Sequence, residues 1–131
     1  MENKLTNQSK TVFEQIREVD ENGNEFWGAR KLSKVLDYTE FRNFYPVIER
    51  AKEACIKSNQ NEENHFVDYH EMVSIGSGAE RKMKSVKLSR YACYLIVQNA
   101  DPSKEVVAMG QTYFAVQKKL KQVNKMNYHA L

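Results

Sequence analysis

The feature that most restricts the fold is one strand-like stretch in a chain otherwise patterned as helices. His65–Tyr69 and Met72–Ile75 are rich in the Val, Ile, Phe and Tyr that β-strands favour. Gly76–Gly78 follows as a turn, and apolar residues then lie between lysines up to Leu88. This order predicts a β-hairpin with a glycine-rich tip and a basic return strand. A Walker A phosphate loop is excluded, because the motif GxxxxGK[S/T] is missing.

Apolar residues recur at helical spacing in the segments on both sides of this stretch. We predict a helix over about 10–19, a short strand at Phe26-Trp27 and a helix over 29–36. The next helix starts near Phe44 or bends near Arg42, and it ends near Ser58. Two helices come after the hairpin: one is capped by Ser89, and the last, over about 104–125, is capped by Ser103. Pro46 is tolerated if Asn43 is the N-cap and Pro46 falls in the first helical turn; otherwise the helix bends. The predicted class is α+β, mostly α, with four to five helices, a helix-turn-helix-like pair and a small, wing-like antiparallel hairpin.

The chain length of 131 residues is enough for one domain with its own core. Cys55 and Cys93 stand among apolar neighbours, which predicts two small buried residues without redox or nucleophilic function. No apolar run has the length of a membrane span and the N-terminus lacks a signal-peptide pattern, so we expect a cytoplasmic protein with no membrane partner. The predicted organisation is a disordered segment over 1–8, one domain over 9–125 and a frayed tail over 126–131.

The net charge of +3 is distributed unevenly. Residues 1–80 sum to −5 and residues 81–131 to +8. A segregated positive segment is typical of proteins with a polyanion partner, and also of lysine-rich helices that serve solubility. The predicted phosphate contacts are Arg81, Lys82, Lys84, Lys87, Arg90, Lys118 and Lys119. Two alternatives stay open: hairpin lysines that block edge-strand aggregation, and C-terminal lysines that complement a helix dipole.

The helices before and after Asp37–Thr39 form the predicted helix-turn-helix-like pair, whose second helix would enter a DNA groove. Lys34, Arg42 and Asn43 are the candidates for base or groove contacts, because Arg and Asn match the edges of guanine and adenine. Two short helices joined by a turn are common, so this signal is weak by itself.

Catalytic chemistry has little support in the sequence. His65, Asp68, His70 and Glu71 form a cluster with metal-ligand chemistry. On a strand, Asp68 and His70 would share a face, and two possible ligands fall short of the three or four that zinc needs. We therefore predict no catalytic residue, no metal and no cofactor. Two hypotheses compete with DNA binding: a protein-interaction module that uses the acidic segment 61–80 and the apolar faces of the last two helices, and a nuclease that uses Asp68, His70 and Glu71.

The run from Lys87 to Pro102, continued by Gln111–Gln117, resembles the DNA-damage-inducible protein D family. Ile75–Lys82 and Phe26–Leu32 carry the same resemblance, which extends over about residues 12–120. More widely, the chain is similar to the N-terminal domain of BRO-type phage and viral proteins. Those domains are in turn similar to phage antirepressors and KilA-N-type DNA-binding domains.

The resemblance implies a mostly helical DNA-binding-type domain in a bacterial, nucleoid-associated protein made during the SOS response. It implies non-catalytic modulation of recombination through single- or double-stranded DNA or a RecA-type recombinase filament, and a homodimer is left open. The alternative is an antirepressor-like regulator or protein-interaction module that does not contact DNA. Family members continue into a C-terminal region, so a chain ending at Leu131 is expected to be an N-terminal domain or a short member. No DNA-contact residue is carried over from the family.

Overall fold

A four-stranded antiparallel sheet packs with five helices in residues 12–115, the part of the chain that the computed structural model describes. The elements in chain order are α1 (12–15), β1 (Arg17–Val19), β2 (Glu25–Gly28), α2 (Ala29–Val35), α3 (Phe41–Lys57), a 3₁₀ turn (Glu62–Asn64), β3 (Phe66–Ser74), β4 (Glu80–Leu88), α4 (Arg90–Asn99) and α5 (105–115). The strand order in the sheet is β1-β2-β4-β3. The predicted α+β class with a small antiparallel sheet is confirmed.

The first predicted helix is wrong over its second half. The described helical residues are 12–15, and Arg17–Val19 is instead the strand β1, paired with β2. The turn between these strands is held by Asp20, whose carboxylate accepts from the backbone N–H groups of Asn22 and Asn24, both at 2.9 Å. Gly23 has φ +83°, as the turn signal predicts. Pairing with β2 thus overrides a local helical pattern, and Val19 is 53% exposed.

The pair α2 and α3 is present, separated by the connection 36–40. A start of α3 near Phe44 with Asn43 as N-cap is wrong, because the helix begins at Phe41 with Glu40 at the N-cap. Pro46 therefore lies inside the helix, where it cannot donate to the carbonyl four residues earlier. Pro46 is exposed, so its ring does not disturb the buried face. That buried face is Phe44, Val47, Ile48, Ala51 and Cys55, and the predicted end near Ser58 is confirmed.

The predicted hairpin is confirmed as β3 and β4, whose nine-residue strands pair without interruption. Its tip, Gly76–Gly78, has positive φ at each residue, including Ser77. The two glycines adopt this conformation without strain. β2 pairs with β4 only at Leu88 and Lys87. The rest of β4, back to Glu80, therefore extends past β2 as the outer part of the hairpin.

The core lies between the inner part of the sheet and the helices. Trp27 is fully buried, and its indole N–H donates to the carbonyl of Phe13 at 2.9 Å. The Trp27 ring also meets Phe114 of α5 edge to face, at 5.4 Å between centroids. Cys55 and Cys93 are buried free cysteines, as predicted, and burial raises the pKa of both thiols.

The caps of the last two helices are only partly as expected. Ser89 caps α4, as predicted, by accepting from the backbone N–H of Ala92 at 3.0 Å. The predicted Ser103 cap of the next helix is wrong, because α5 begins at residue 105 and the Ser103 hydroxyl donates to the Asp101 carboxylate at 2.7 Å instead of accepting from the helix. The Ser103 backbone N–H donates to the same carboxylate at 3.0 Å, which closes a local turn before α5.

Several predictions fall outside residues 12–115. These are the disordered segment 1–8, the frayed tail 126–131, the boundaries of the 9–125 domain and the last helix beyond residue 115. In the described part of the chain, no helix is both long enough and apolar enough to cross a bilayer.

Candidate nucleic-acid interface

Three exposed cations lie on the part of β4 that extends past β2: Arg81, Lys82 and Lys84. Alternate residues of a strand point to opposite faces, so Lys82 and Lys84 share one face and Arg81 lies on the other. The cross-strand neighbours of the two lysines are Met72 and His70. Neither directly opposite residue is a carboxylate, and both lysine side chains are exposed.

Arg30 joins this strand to the start of α3. Its Nε donates to the backbone carbonyl of Lys84 at 2.6 Å, on the edge of β4 that β2 leaves unpaired. The centre of its guanidinium lies 4.3 Å from the ring centroid of Phe41, the first residue of α3. A cation stacked on an aromatic ring is held in place while its outer face stays available to an anion. Arg30 thereby links the edge of β4 to the start of α3.

A groove of about 530 Å³ opens where these elements meet. The residues that line it are Arg30, Glu40, Phe41, Arg42 and Tyr45. Arg42 and Glu40 form an ion pair at 3.2 Å, with side chains 79% and 54% exposed. Such an exposed pair contributes little stability, so the guanidinium can exchange the carboxylate for a phosphate. Tyr45 is 47% exposed and offers a ring surface next to both arginines.

The orientation of α2 depends on Glu71, a buried carboxylate on β3. Glu71 accepts from the backbone N–H groups of Arg30 at 3.0 Å and Lys31 at 3.1 Å, and from the Ser85 hydroxyl at 2.6 Å. These two N–H groups occupy the helical positions that an N-cap side chain normally satisfies. The N-cap residue, Gly28, has no side chain, so a strand of the hairpin caps the helix that carries Arg30.

Gly28 is required by the same contact. A Cβ at this position would lie 2.2 Å from a Glu71 carboxylate oxygen and 2.6 Å from the Tyr69 hydroxyl. The backbone of Gly28 is extended, so space rather than backbone conformation demands glycine here.

Two of the predicted phosphate contacts are engaged within the protein. Lys87 lies over the rings of Phe26 and Tyr69, at 4.7 and 5.5 Å from their centroids. Arg90 donates to both carboxylate oxygens of Glu25, at 2.6 and 3.0 Å, and its side chain is 14% exposed. Lys87 is therefore held on two aromatic rings and Arg90 in an ion pair, so both cations present less charge to solvent than Lys82 and Lys84.

Glu25 lies between two arginines, because Arg17 also donates to it at 2.8 Å. Burial alone would disfavour its charged form, but the hydrogen bonds from Arg90 and Arg17 outweigh that effect and lower its pKa to about 2. A pKa below the ordinary value of 4.5 means that the native state holds the charged form more tightly than the unfolded chain does.

We therefore expect a loss of stability in acid that depends on Glu25. The contribution is complete above about pH 4.5 and disappears as the pH falls below about 2, and it amounts to about 3 kcal/mol. Glu25→Gln removes the titrating group, so the difference in the free energy of unfolding between the two proteins should shrink over this range. Urea unfolding at a series of pH values measures that difference. A difference that stays constant from pH 7 to pH 2 would contradict the assignment.

The remaining predicted contacts have different positions. Lys34 is exposed on α2, on the same side of the helix as Arg30. Asn43 is exposed in the first turn of α3, one residue after Arg42. Lys118 and Lys119 lie outside the described residues. Lys34, Arg42 and Asn43 thus lie on the exposed sides of the two helices that border the groove.

The cluster that suggested metal or nuclease chemistry is separated by the sheet. Asp68 and His70 point to one face of β3, whereas Glu71 points to the other, where it is 2% exposed and caps α2. No group of three or more His, Cys, Asp or Glu within residues 12–115 is placed to hold a metal ion. The three residues of the nuclease hypothesis therefore do not lie together on one face of the sheet.

The protein-interaction hypothesis also loses part of its proposed surface. The apolar faces of α4 and α5 are in the core, where Ile96, Val97, Val107 and Phe114 are fully buried. A partner protein cannot contact these faces without unfolding the domain.

Sequence reasoning missed Arg30, Phe41 and Tyr45 as groove residues and the capping role of Glu71. Arg30 and Tyr45 read locally as ordinary residues of amphipathic helices. The importance of Arg30 comes from contacts with strands far along the chain, at Lys84 and Glu71. No local signal in the sequence encodes those contacts.

Comparison with known proteins agrees with this architecture. Residues 15–115 match the BRO family, N-terminal domain. DNA damage-inducible protein D from Escherichia coli (strain K12) is 53% identical to the chain over 111 residues, which is 85% of this chain and 40% of that protein. The chain thus spans less than half the length of this relative. No solved structure matches the chain. The resemblance predicted from residues 87–117 is confirmed, and the chain belongs to the BRO family as a bearer of its N-terminal domain.

Proposed function

We propose that this chain is a non-catalytic, DNA-contacting regulatory domain that acts in the response to DNA damage and modulates recombination. The observation that carries the proposal is Arg30, which binds the basic strand β4 through the Lys84 carbonyl and stacks on Phe41 at the mouth of the groove. The name of the relative, which says that DNA damage induces that protein, supports the biological setting.

The proposed contacts divide into two sets. Arg81, Lys82 and Lys84 bind phosphates from the hairpin, where exposure lets each cation follow the nucleic-acid backbone. Arg42 and Asn43 reach base edges from the first turn of α3, with Lys34 beside them on α2. Lys87 and Arg90 are left out of the binding surface, because each is held by neighbours inside the protein. Lys118 and Lys119 stay proposed phosphate contacts.

The test is a fluorescence-anisotropy titration of single- and double-stranded DNA at several salt concentrations. Lys82→Glu/Lys84→Glu should weaken binding about tenfold or more on every sequence, and should lower the slope of log affinity against log salt by about 2. Both lysines are exposed, so the variant should fold normally.

Lys52→Glu/Lys57→Glu is the matched control, because it makes the same charge change in the middle and at the far end of α3. This variant should retain most of the affinity, with at most the small loss that a change in net charge produces. Equal losses in the two double variants would indicate a non-specific charge effect. Absence of salt-sensitive binding by the unmodified chain would refute the proposal for this domain.

A recombinase filament on DNA is the second partner that we propose for this surface. Association with the filament should exceed association with the same DNA without recombinase, as measured by co-sedimentation. Equal association with bare DNA would leave DNA as the sole partner.

A further inference from the structure

The outer edge of β3 offers backbone groups for pairing. In an antiparallel pair, directly opposite residues alternate between those that exchange hydrogen bonds and those that do not. Ser89 N donates to His65 O at 3.1 Å, and Ile75 N donates to Ala79 O at 3.0 Å. Odd-numbered residues of β3 therefore bond to β4, and the even-numbered residues point their N–H and C=O groups outward. β3 has no neighbouring strand on that side in residues 12–115.

This edge lacks three of the usual devices that prevent strand addition, namely lysine, proline and a bulge. β3 contains no lysine and no proline, and its pairing with β4 has no bulge along nine residues. Met72, on the outward set, is 41% exposed. A long, regular and partly apolar edge strand is a template for another strand.

The outward residues of β3 are complementary to those of a second β3. In an antiparallel arrangement with the two-fold axis at Tyr69, Asp68 of each copy faces His70 of the other. The same register places Met72 opposite Phe66 on both sides of the axis, and the Phe66 side chain stays buried in the core of its own copy. Each opposing pair exchanges two backbone hydrogen bonds, and a carboxylate–imidazole pair stabilises adjacent strands. A register centred on His70 would instead place two imidazoles opposite each other.

We propose that the chain forms a homodimer by antiparallel pairing of β3 with β3, in the register that joins Asp68 to His70 across the two-fold axis. Facing residues of paired strands lie on the same side of the sheet, so Lys82 and Lys84 of both copies lie on one face of the continuous sheet. The dimer goes beyond the DNA-binding proposal and does not depend on it, because its formation is measured without DNA.

Sedimentation equilibrium of charge variants tests the pairing. Asp68→Lys places a lysine opposite His70, and His70→Glu places a second carboxylate opposite Asp68, so each variant should raise the dimer dissociation constant about tenfold. The double variant Asp68→Lys/His70→Glu restores opposite charges and should recover dimerisation. Glu21→Lys makes the same charge change as Asp68→Lys in an exposed turn, and should leave the dimer unchanged.

Cysteine cross-linking tests the register independently. A mixture of Asp68→Cys and His70→Cys proteins should form a disulfide-linked heterodimer under mild oxidation, because the opposing Cα atoms of an antiparallel pair lie within disulfide range. Each variant alone should cross-link far more slowly, and the native cysteines are buried.

Three outcomes would overturn the proposal. A chain that stays monomeric over the whole concentration range excludes the dimer, and protected β3 amides in such a monomer would assign the edge to another segment of the same chain. A dimer that is insensitive to Asp68→Lys uses a different surface. Faster cross-linking of His70→Cys alone than of the mixture would place the axis at His70.

Discussion

Replacement of Glu71 by alanine is expected to lower the free energy of unfolding by about 3 kcal/mol, because it removes the acceptor of several hydrogen bonds in the interior. The donors that lose Glu71 are the backbone N–H groups of Arg30 and Lys31 and the hydroxyl of Ser85, and of these only the Arg30 N–H keeps a second acceptor, the Ser85 Oγ at 3.3 Å. Glu71 is 2% exposed, so water cannot replace it without local opening. Urea unfolding followed by circular dichroism gives the size of the loss.

Two further variants show whether the capping bonds cause this loss. Glu71→Gln keeps the size of the side chain and one accepting oxygen, so it should destabilise the protein less than alanine does. Glu80→Ala removes an exposed carboxylate from the same hairpin and should change stability by less than about 0.5 kcal/mol. If Glu80→Ala and Glu71→Ala had equal effects, the cap would not be the source of the stability.

Gly28→Ala should produce a loss of similar size, about 3 kcal/mol, because the added methyl group enters an occupied space. It would lie 2.2 Å from the Glu71 carboxylate and 2.6 Å from the Tyr69 hydroxyl, both far inside contact distance. Glu71 could move away only by giving up its bonds to α2. The free energy of unfolding from urea titration is again the measurement.

A double-mutant cycle separates this steric cause from a general intolerance of alanine at Gly28. In the Glu71→Ala background, the closest atoms that the new methyl group would meet are gone, so Gly28→Ala should cost clearly less than it does in the unmodified protein. The destabilisation that Gly28→Ala still causes in this background would come from the contact with the Tyr69 hydroxyl. Strict additivity of the two substitutions would show that Gly28 and Glu71 act independently.

These variants also bear on the proposed interface. Glu71 holds the first turn of α2 against the hairpin, and Arg30, in that first turn, connects β4 to the groove. A variant that remains folded but loses the cap should bind DNA more weakly than its net charge predicts, since Arg30 would no longer be fixed between β4 and Phe41.

Much of the fold could be predicted from local sequence. The apolar stripe of α3, the Ser89 cap, the Gly76–Gly78 tip and the basic strand β4 each have a signal within a few neighbouring residues. The prediction for β1 was wrong, because Arg17–Val19 takes its conformation from β2 across a turn. The helical pattern of apolar residues before it extends through the same positions, and only the strand partner decides between the two structures.

Part of the candidate site could also be predicted, because charge is a local property of the sequence. Exposed cations such as Lys82 and Arg42 are visible in the sequence as charges off the apolar pattern, and charge needs no partner to be recognised. The roles of Arg30, Arg90 and Glu71 could not be predicted, since each is set by a group many residues away: the Lys84 carbonyl, the Glu25 carboxylate and the N-terminus of α2, respectively.

The sequence by itself determined that this chain is an α+β domain with a basic hairpin, and the run from Lys87 to Gln117 determined its family. Periodicity, turn chemistry and charge are local properties, so they can be recognised in the sequence without a structure. Only the tertiary structure decided which cations are exposed, which are held by carboxylates and rings, and that Glu71 is a helix cap and not a ligand. The physical reason is that desolvation and hydrogen-bond geometry depend on what packs nearby, and packing brings together residues that the sequence keeps far apart.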